Sequence, residues 1–162
     1  MLYFDCDGVL RDLFTYTMGI EQKDWNEKVN GKDFFETIEE DRTILNKCHE
    51  TQYLPIIVSM CPEVNILSSQ PVQWRAYTNK WIDDKIKPFC KCNIQYVSKP
   101  FEKMKHLKDG DMLVEDYPFF EDYSKIVLID HLYNRKLEKA KNEPIIRIND
   151  KDQMRKFLVG MY

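Results

Sequence analysis

Six short runs of apolar residues punctuate this chain, at 2–5, 64–68, 93–97, 111–115, 125–129 and 145–148. Several of them, such as "KIVLI" at 125–129, are apolar almost throughout, as strands covered on both faces are. Between the runs the spacing predicts helices over 72–86, 100–107, 117–123, 134–141 and 150–159. Alternation of strand and helix implies right-handed crossovers and a mainly parallel sheet. The predicted class is therefore α/β: a three-layer sandwich built on a Rossmann-like sheet.

Residues 13–62 break the alternation. They are rich in charge and in aromatics, with helical spacing at Phe34, Phe35 and Ile38 and again at Ile44, Leu45 and Cys48. The stretch "YLPIIVSMCP" at 53–62 reads equally as helix or strand, and Pro55 would suit a helix's first turn. Because the segment follows the first strand, it is expected to project over that strand's C-terminal end as a small helical cap, and then to approach the second strand. The whole of 1–162 reads as one domain, of a size that supports a real core.

Composition narrows the class without naming an activity. A hydrophobic share of 43% with 31% charged residues suits a globular protein. A net charge of −3 argues against a broad nucleic-acid-binding surface, though not against a small basic pocket. No apolar run approaches the roughly 18 residues of a membrane span. Asp5 and Asp7 interrupt the apolar start, so no leader pattern is expected, and a cytoplasmic protein follows. Five cysteines (Cys6, Cys48, Cys61, Cys90 and Cys92) form an odd set that reads as reduced thiols. "CKC" at 90–92 has no second ligand pair at zinc-finger spacing, and His49, His106 and His131 share no metal spacing.

The candidate chemistry lies at strand ends, where open α/β sheets bind ligands. "FDCDGVLRD" at 4–12 places Asp5 and Asp7 at the end of the first run, followed by the chain-turning Gly8. "ILSSQP" at 66–71 places Ser68 and Ser69 at the end of the second, where hydroxyls can hold an anion. "YVSKPFEK" at 96–103 places Lys99 directly after the third, with Lys103 and Lys105 within two helical turns of it. "DMLVEDYP" at 111–118 ends the fourth with Glu115 and Asp116, the acid pair of a hard-cation site. Taken singly, each also reads as an ordinary turn, a solvated lysine or a solvated loop.

Jointly, four strand ends presenting carboxylates, a hydroxyl, a lysine and carboxylates resemble the haloacid dehalogenase superfamily, whose phosphatases carry those four motifs in that order. "DGVLRD", "SSQP", "NKWI" at 79–82 and "VLIDHLYNR" at 127–135 are similar to segments of its 5'(3')-deoxyribonucleotidase-like branch, of phage and bacterial type. Tyr117 stands where that branch has an arginine, and "HLYNR" lacks its proline. The strand-helix alternation, with the need to bring four strand ends together, implies the sheet order 93–97, 64–68, 2–5, 111–115, 125–129, with 145–148 at the far edge.

The resemblance further implies a Mg²⁺-dependent phosphomonoesterase. Asp5 would be the nucleophile that forms an aspartyl-phosphate, and Asp7 the acid and base. Ser68, Ser69, Gly8 and loop amides would bind phosphoryl oxygens. Lys99 would offset charge on nucleophile and phosphoryl group, and is preferred to Lys103 or Lys105 because it follows an apolar strand directly. The Asp5 carboxylate, the Asp7 backbone carbonyl and Asp116 would hold Mg²⁺, with Glu115 acting indirectly or orienting the ligands. The expected partner is a small phosphomonoester, a nucleoside monophosphate first, with no membrane and no long nucleic acid; no oligomeric state is implied. Alternatives are a phosphatase for sugar phosphates or nucleic-acid ends, and an inactive relative that binds. Trp25, Phe34 and Phe35 read either as a base platform or as cap core. Asn134 and Arg135 read either as binding residues or as a helix start.

Overall fold

The computed structural model describes residues 1–137 and 140–161. Its centre is one six-stranded sheet of β1 (Leu2–Phe4), β2 (Glu63–Ser69), β3 (Lys91–Val97), β4 (Met112–Glu115), β5 (Ile126–Ile129) and β6 (Ile146–Ile148). The order is β3-β2-β1-β4-β5-β6 and every pairing is parallel, as the alternation predicted. The strands number from the middle outwards, so the chain reverses its winding direction beside β1. A crevice opens at such a switch point at the C-terminal ends of the strands.

The pleat sorts side chains between two apolar layers. Phe4, Cys6, Val64, Ile66, Val127 and Ile129 share a core with α4 (Leu54–Met60), α5 (Arg75–Lys85) and α6 (Lys151–Met161). Leu67, Leu113, Ile126 and Leu128 face the opposite way, onto Leu107, Phe120 and Tyr123. Pro55 occupies the first turn of α4, where its missing N–H costs nothing, and this settles the ambiguous 53–62 stretch as helix.

The insert is an excursion with a closed stem. Asp12 N–H donates to the His49 carbonyl at 2.9 Å and Thr51 N–H to the Leu10 carbonyl at 2.9 Å. Between these points α1 (Leu13–Met18), α2 (Phe34–Glu40) and α3 (Ile44–Lys47) bury Leu13, Phe14, Phe34, Ile38 and Leu45 around Trp74. Helix α2 begins in a capping box in which Asp33 and Glu36 each bond the other's backbone. Among the described residues no helix is long and apolar enough to cross a membrane.

Three predicted helices are corrected. Residues 100–107 wind instead as a 3₁₀ stretch, Pro100–His106. Residues 117–123 form turns, because the buried Tyr123 hydroxyl donates to the Tyr117 carbonyl at 2.9 Å and accepts from Phe120 N–H at 3.2 Å. It thereby satisfies backbone groups a helix would have used. Of 134–141, residues 138 and 139 lie outside the described residues, and the rest holds only the end of a 3₁₀ turn, Leu132–Asn134. There the Asn134 carbonyl, which would open a helix, accepts from Arg147 at 3.1 Å.

Candidate active site

The strand ends converge on a cavity of about 170 Å³ whose floor holds Asp5, Asp7, Ser69, Lys103, Glu115 and Asp116. Parallel register brings them together. Phe4 lies opposite Val114, so one residue further on Asp5 and Glu115 leave neighbouring strands on the same face. The Lys103 ammonium sits between them, 2.9 Å from Asp5 and 2.6 Å from Glu115, and is 1% exposed. Asp5 Oδ1 also accepts from Cys6 N–H at 2.8 Å, and Glu115 Oε1 from Asp116 N–H at 3.1 Å.

Asp5, Glu115 and Asp116 each present an oxygen within 4.8 Å of the others'. Three carboxylates against one ammonium leave two uncompensated negative charges when all are ionised. Burial, with Glu115 beside it, pushes the Asp5 carboxyl well above its usual range; burial likewise raises Glu115. Burial and the Asp5 charge bring Asp116 up to about 7. For Lys103, burial works against the charged form, but Asp5 and Glu115 outweigh it and hold the ammonium above the usual lysine range. An all-oxygen set with this charge fits a hard divalent cation.

Asp7 has a different environment. Its Oδ1 accepts from Arg11 Nε at 2.7 Å and its Oδ2 from Gln70 Nε2 at 2.6 Å. Thr78 Oγ1 donates to Gln70 Oε1 at 2.7 Å and accepts from Arg11 at 3.2 Å, which closes a ring of four side chains. Arg11 is fully buried and its guanidinium lies over the Trp81 ring at 5.5 Å. The Asp7 carboxylate is thus charge-balanced and separate from the Asp5–Glu115–Asp116 cluster.

Three residue assignments change. Lys99 is exposed, its ammonium 5.8 Å from the centre of the Phe101 ring, and Lys105 is exposed as well. Lys103 reaches the carboxylates because 3₁₀ winding places residues three apart on one side, so Pro100 and Lys103 both face the cavity. Ser69 lines the cavity and Ser68 does not; successive residues of β2 alternate faces, and the Ser68 hydroxyl is buried without a hydrogen-bond partner. Gly8 is not a phosphate cradle: its N–H donates to the Arg11 carbonyl at 2.9 Å. Its φ is +78°, and a Cβ there would stand 2.0 Å from Asp116 Oδ2, so glycine is what lets the loop after β1 pack on Asp116.

The roof of the cavity is aromatic: Phe14, Trp25, Phe34, Phe35, Trp74 and Tyr117. Phe14 meets Phe34 at 4.3 Å and Trp25 at 5.2 Å between ring centres, and Phe35 stacks on Trp74 at 5.6 Å. Phe34 is buried in the cap core and Phe35 is half exposed on the same aromatic layer. Tyr117 extends that layer, edge-on to Trp25 at 5.3 Å.

Arg11, Gln70, Thr78 and Tyr133 were not anticipated as site residues. Tyr133 donates its hydroxyl to Asp116 Oδ2. The spacing of Asp7 and Arg11, four apart, is the one sequence signal that could have paired them. Asn134 takes neither role foreseen for it: its side-chain amide donates to the Asp116 carbonyl at 2.9 Å and to the Ile129 carbonyl at 2.8 Å, tying β4 to β5. Arg135 pairs with Asp130 at 3.1 Å on the surface. No family model matches this chain, and no curated protein is significantly similar to it.

Proposed function

We propose that this protein is a phosphomonoesterase that uses a hard divalent cation, Mg²⁺ first, and transfers the phosphoryl group to Asp5. The observation that carries the reading is the buried Lys103 held between Asp5 and Glu115, beside Asp116, at the C-terminal end of the sheet. The resemblance to haloacid dehalogenase phosphatases agrees with it.

Asp5, Asp116 and the Asp7 carbonyl would hold the cation, with Glu115 orienting its ligands. When bound, it supplies positive charge that offsets repulsion between the Asp5 carboxylate and a phosphate dianion. An Asp5 oxygen attacks phosphorus, an O–P bond forms, and the ester O–P bond breaks. Lys103 holds the Asp5 carboxylate in place and lies where negative charge gathers. The Asp7 carboxyl gives its proton to the leaving oxygen, then takes one from the water that attacks the aspartyl-phosphate. Arg11 and Gln70 fix that carboxyl by both oxygens. Ser69 offers a hydroxyl to the phosphoryl group. The cap excludes water from the reacting atoms.

The aromatic roof favours a leaving group with a flat face, and a nucleoside monophosphate supplies one. A polyhydroxylated sugar would leave its hydroxyls unpaired against Phe14, Trp25 and Phe34. The reduced thiols of Cys6, Cys48, Cys90 and Cys92 agree with a cytoplasmic setting. A second reading, a binding protein without turnover, is favoured by the closed ring around Asp7, since Arg11 and Gln70 already occupy both of its oxygens. The test is phosphate release from p-nitrophenyl phosphate with and without Mg²⁺, followed by 5'- and 3'-nucleoside monophosphates beside sugar phosphates. Mg²⁺-dependent release, with higher kcat/KM for the nucleotides, is expected. Absence of release under all conditions would leave the binding reading.

A further inference from the structure

Outside the carboxylate cluster, the short segment 131–134 holds Asp116 by both its side chain and its backbone. The Tyr133 hydroxyl donates to Asp116 Oδ2 and the Asn134 amide donates to the Asp116 carbonyl at 2.9 Å. His131 lies flat against the Tyr133 ring, with ring centres 5.0 Å apart and planes 7° apart, and its Nε2 meets the Gly8 carbonyl at 3.1 Å. Gly8 in turn packs directly on the Asp116 carboxylate. Side chain, backbone and neighbouring loop are all held from the same short turn.

Tyr133 also faces the cap. Its ring meets Trp25 at 5.3 Å and Phe14 at 5.6 Å, both roof residues. One side chain therefore touches the cap with its ring and a candidate metal ligand with its hydroxyl. A carboxylate in a crowded, negatively charged cluster can rotate or protonate. A phenol donor on Oδ2 fixes its plane and leaves Oδ1 for a cation.

We infer that Tyr133 is a positioning residue that couples the cap to the metal site: Trp25 and Phe14 set the ring, and the ring sets Asp116. This rests on the metal part of the proposed function. Removing the hydroxyl frees Asp116, and removing the cap wall frees Tyr133, so the two changes act through one contact and are not additive.

The experiment measures Mn²⁺ affinity by electron paramagnetic resonance, without substrate, for wild type, Tyr133→Phe, Trp25→Ala and the double variant. Tyr133→Phe keeps the ring and should weaken Mn²⁺ binding about tenfold or more, while circular dichroism of the metal-free protein stays native. Trp25→Ala should weaken it less, and the double variant no more than Tyr133→Phe alone. Equal affinity in wild type and Tyr133→Phe, or effects that add in full, would overturn the coupling, as would a wild type that binds no Mn²⁺. A wild type that binds Mn²⁺ as expected yet releases no phosphate would end the catalytic reading and leave this inference standing.

Discussion

The two aspartates of the opening motif are two residues apart and share a face, yet their surroundings are opposite. Asp7 sits in a closed ring with Arg11, Gln70 and Thr78, where every oxygen has a partner and the charges cancel. Asp5 sits among Glu115 and Asp116, and among the described residues Lys103 is the one cation paired with them. Balance holds the Asp7 carboxylate in one orientation. Imbalance is what the proposed cation would relieve on the Asp5 side. Positions two apart on one strand end can thus be given opposite charge environments by what the tertiary fold packs against each.

The largest break in this comparison is at Asp5. Asp5→Asn should lower turnover by about 10⁴-fold or more, since an amide is a poor nucleophile, while circular dichroism stays native. Comparable phosphate release in the two proteins would refute covalent transfer to Asp5.

Lys103→Met comes next. It leaves Asp5 and Glu115 buried without their cation, which should cost about 3–5 kcal/mol and lower the thermal midpoint by about 10 °C. Added divalent cation should recover part of that loss. A midpoint within a degree or two of wild type would mean that Lys103 does not balance the cluster.

Asp116 sharpens the comparison through pH. Its carboxyl titrates near 7 in the native state because burial and Asp5 oppose its charge, against about 3.9 in an unfolded chain. Between those values the native state binds more protons, so the metal-free protein should lose stability as pH rises through that window. Asp116→Asn should flatten this slope, leaving the part that Asp5 and Glu115 contribute, and should be more stable than wild type without metal at pH 8 while losing metal-dependent turnover. Parallel stability–pH curves for the two metal-free proteins would contradict the assignment.

The smallest effect is expected at Lys99, which is exposed. Lys99→Ala should leave kcat/KM within about twofold and the thermal midpoint within about a degree, as exposed substitutions usually do. A loss of activity like that of Lys103→Met would return Lys99 to the site.

The strand pattern was legible because apolar runs of this length have few other uses, and all six runs appear in the sheet in the expected order. The acids of the site were legible too: Asp5 and Asp7 follow an apolar run before Gly8, and Glu115 and Asp116 close another. The lysine was not, since Lys99, Lys103 and Lys105 all fit an α-helical reading and only 3₁₀ winding of Pro100–His106 turns Lys103 inward. Ser68 and Ser69 were both read as anion-binding hydroxyls, and only the pleat of β2 decides that Ser69 is the one lining the cavity.

Local sequence alone therefore determined the elements, their alternation and the strand ends on which acids fall, because hydrophobic period and turn chemistry act over a few residues. Tertiary structure alone decided which lysine and which serine face the cavity. It also brought Arg11 to Asp7 through a ring closed by Gln70 and Thr78, and Tyr133 to Asp116 across two strands. Those choices depend on register, winding and burial, and burial makes an unpaired charge or hydroxyl costly enough to select its partner from anywhere in the chain.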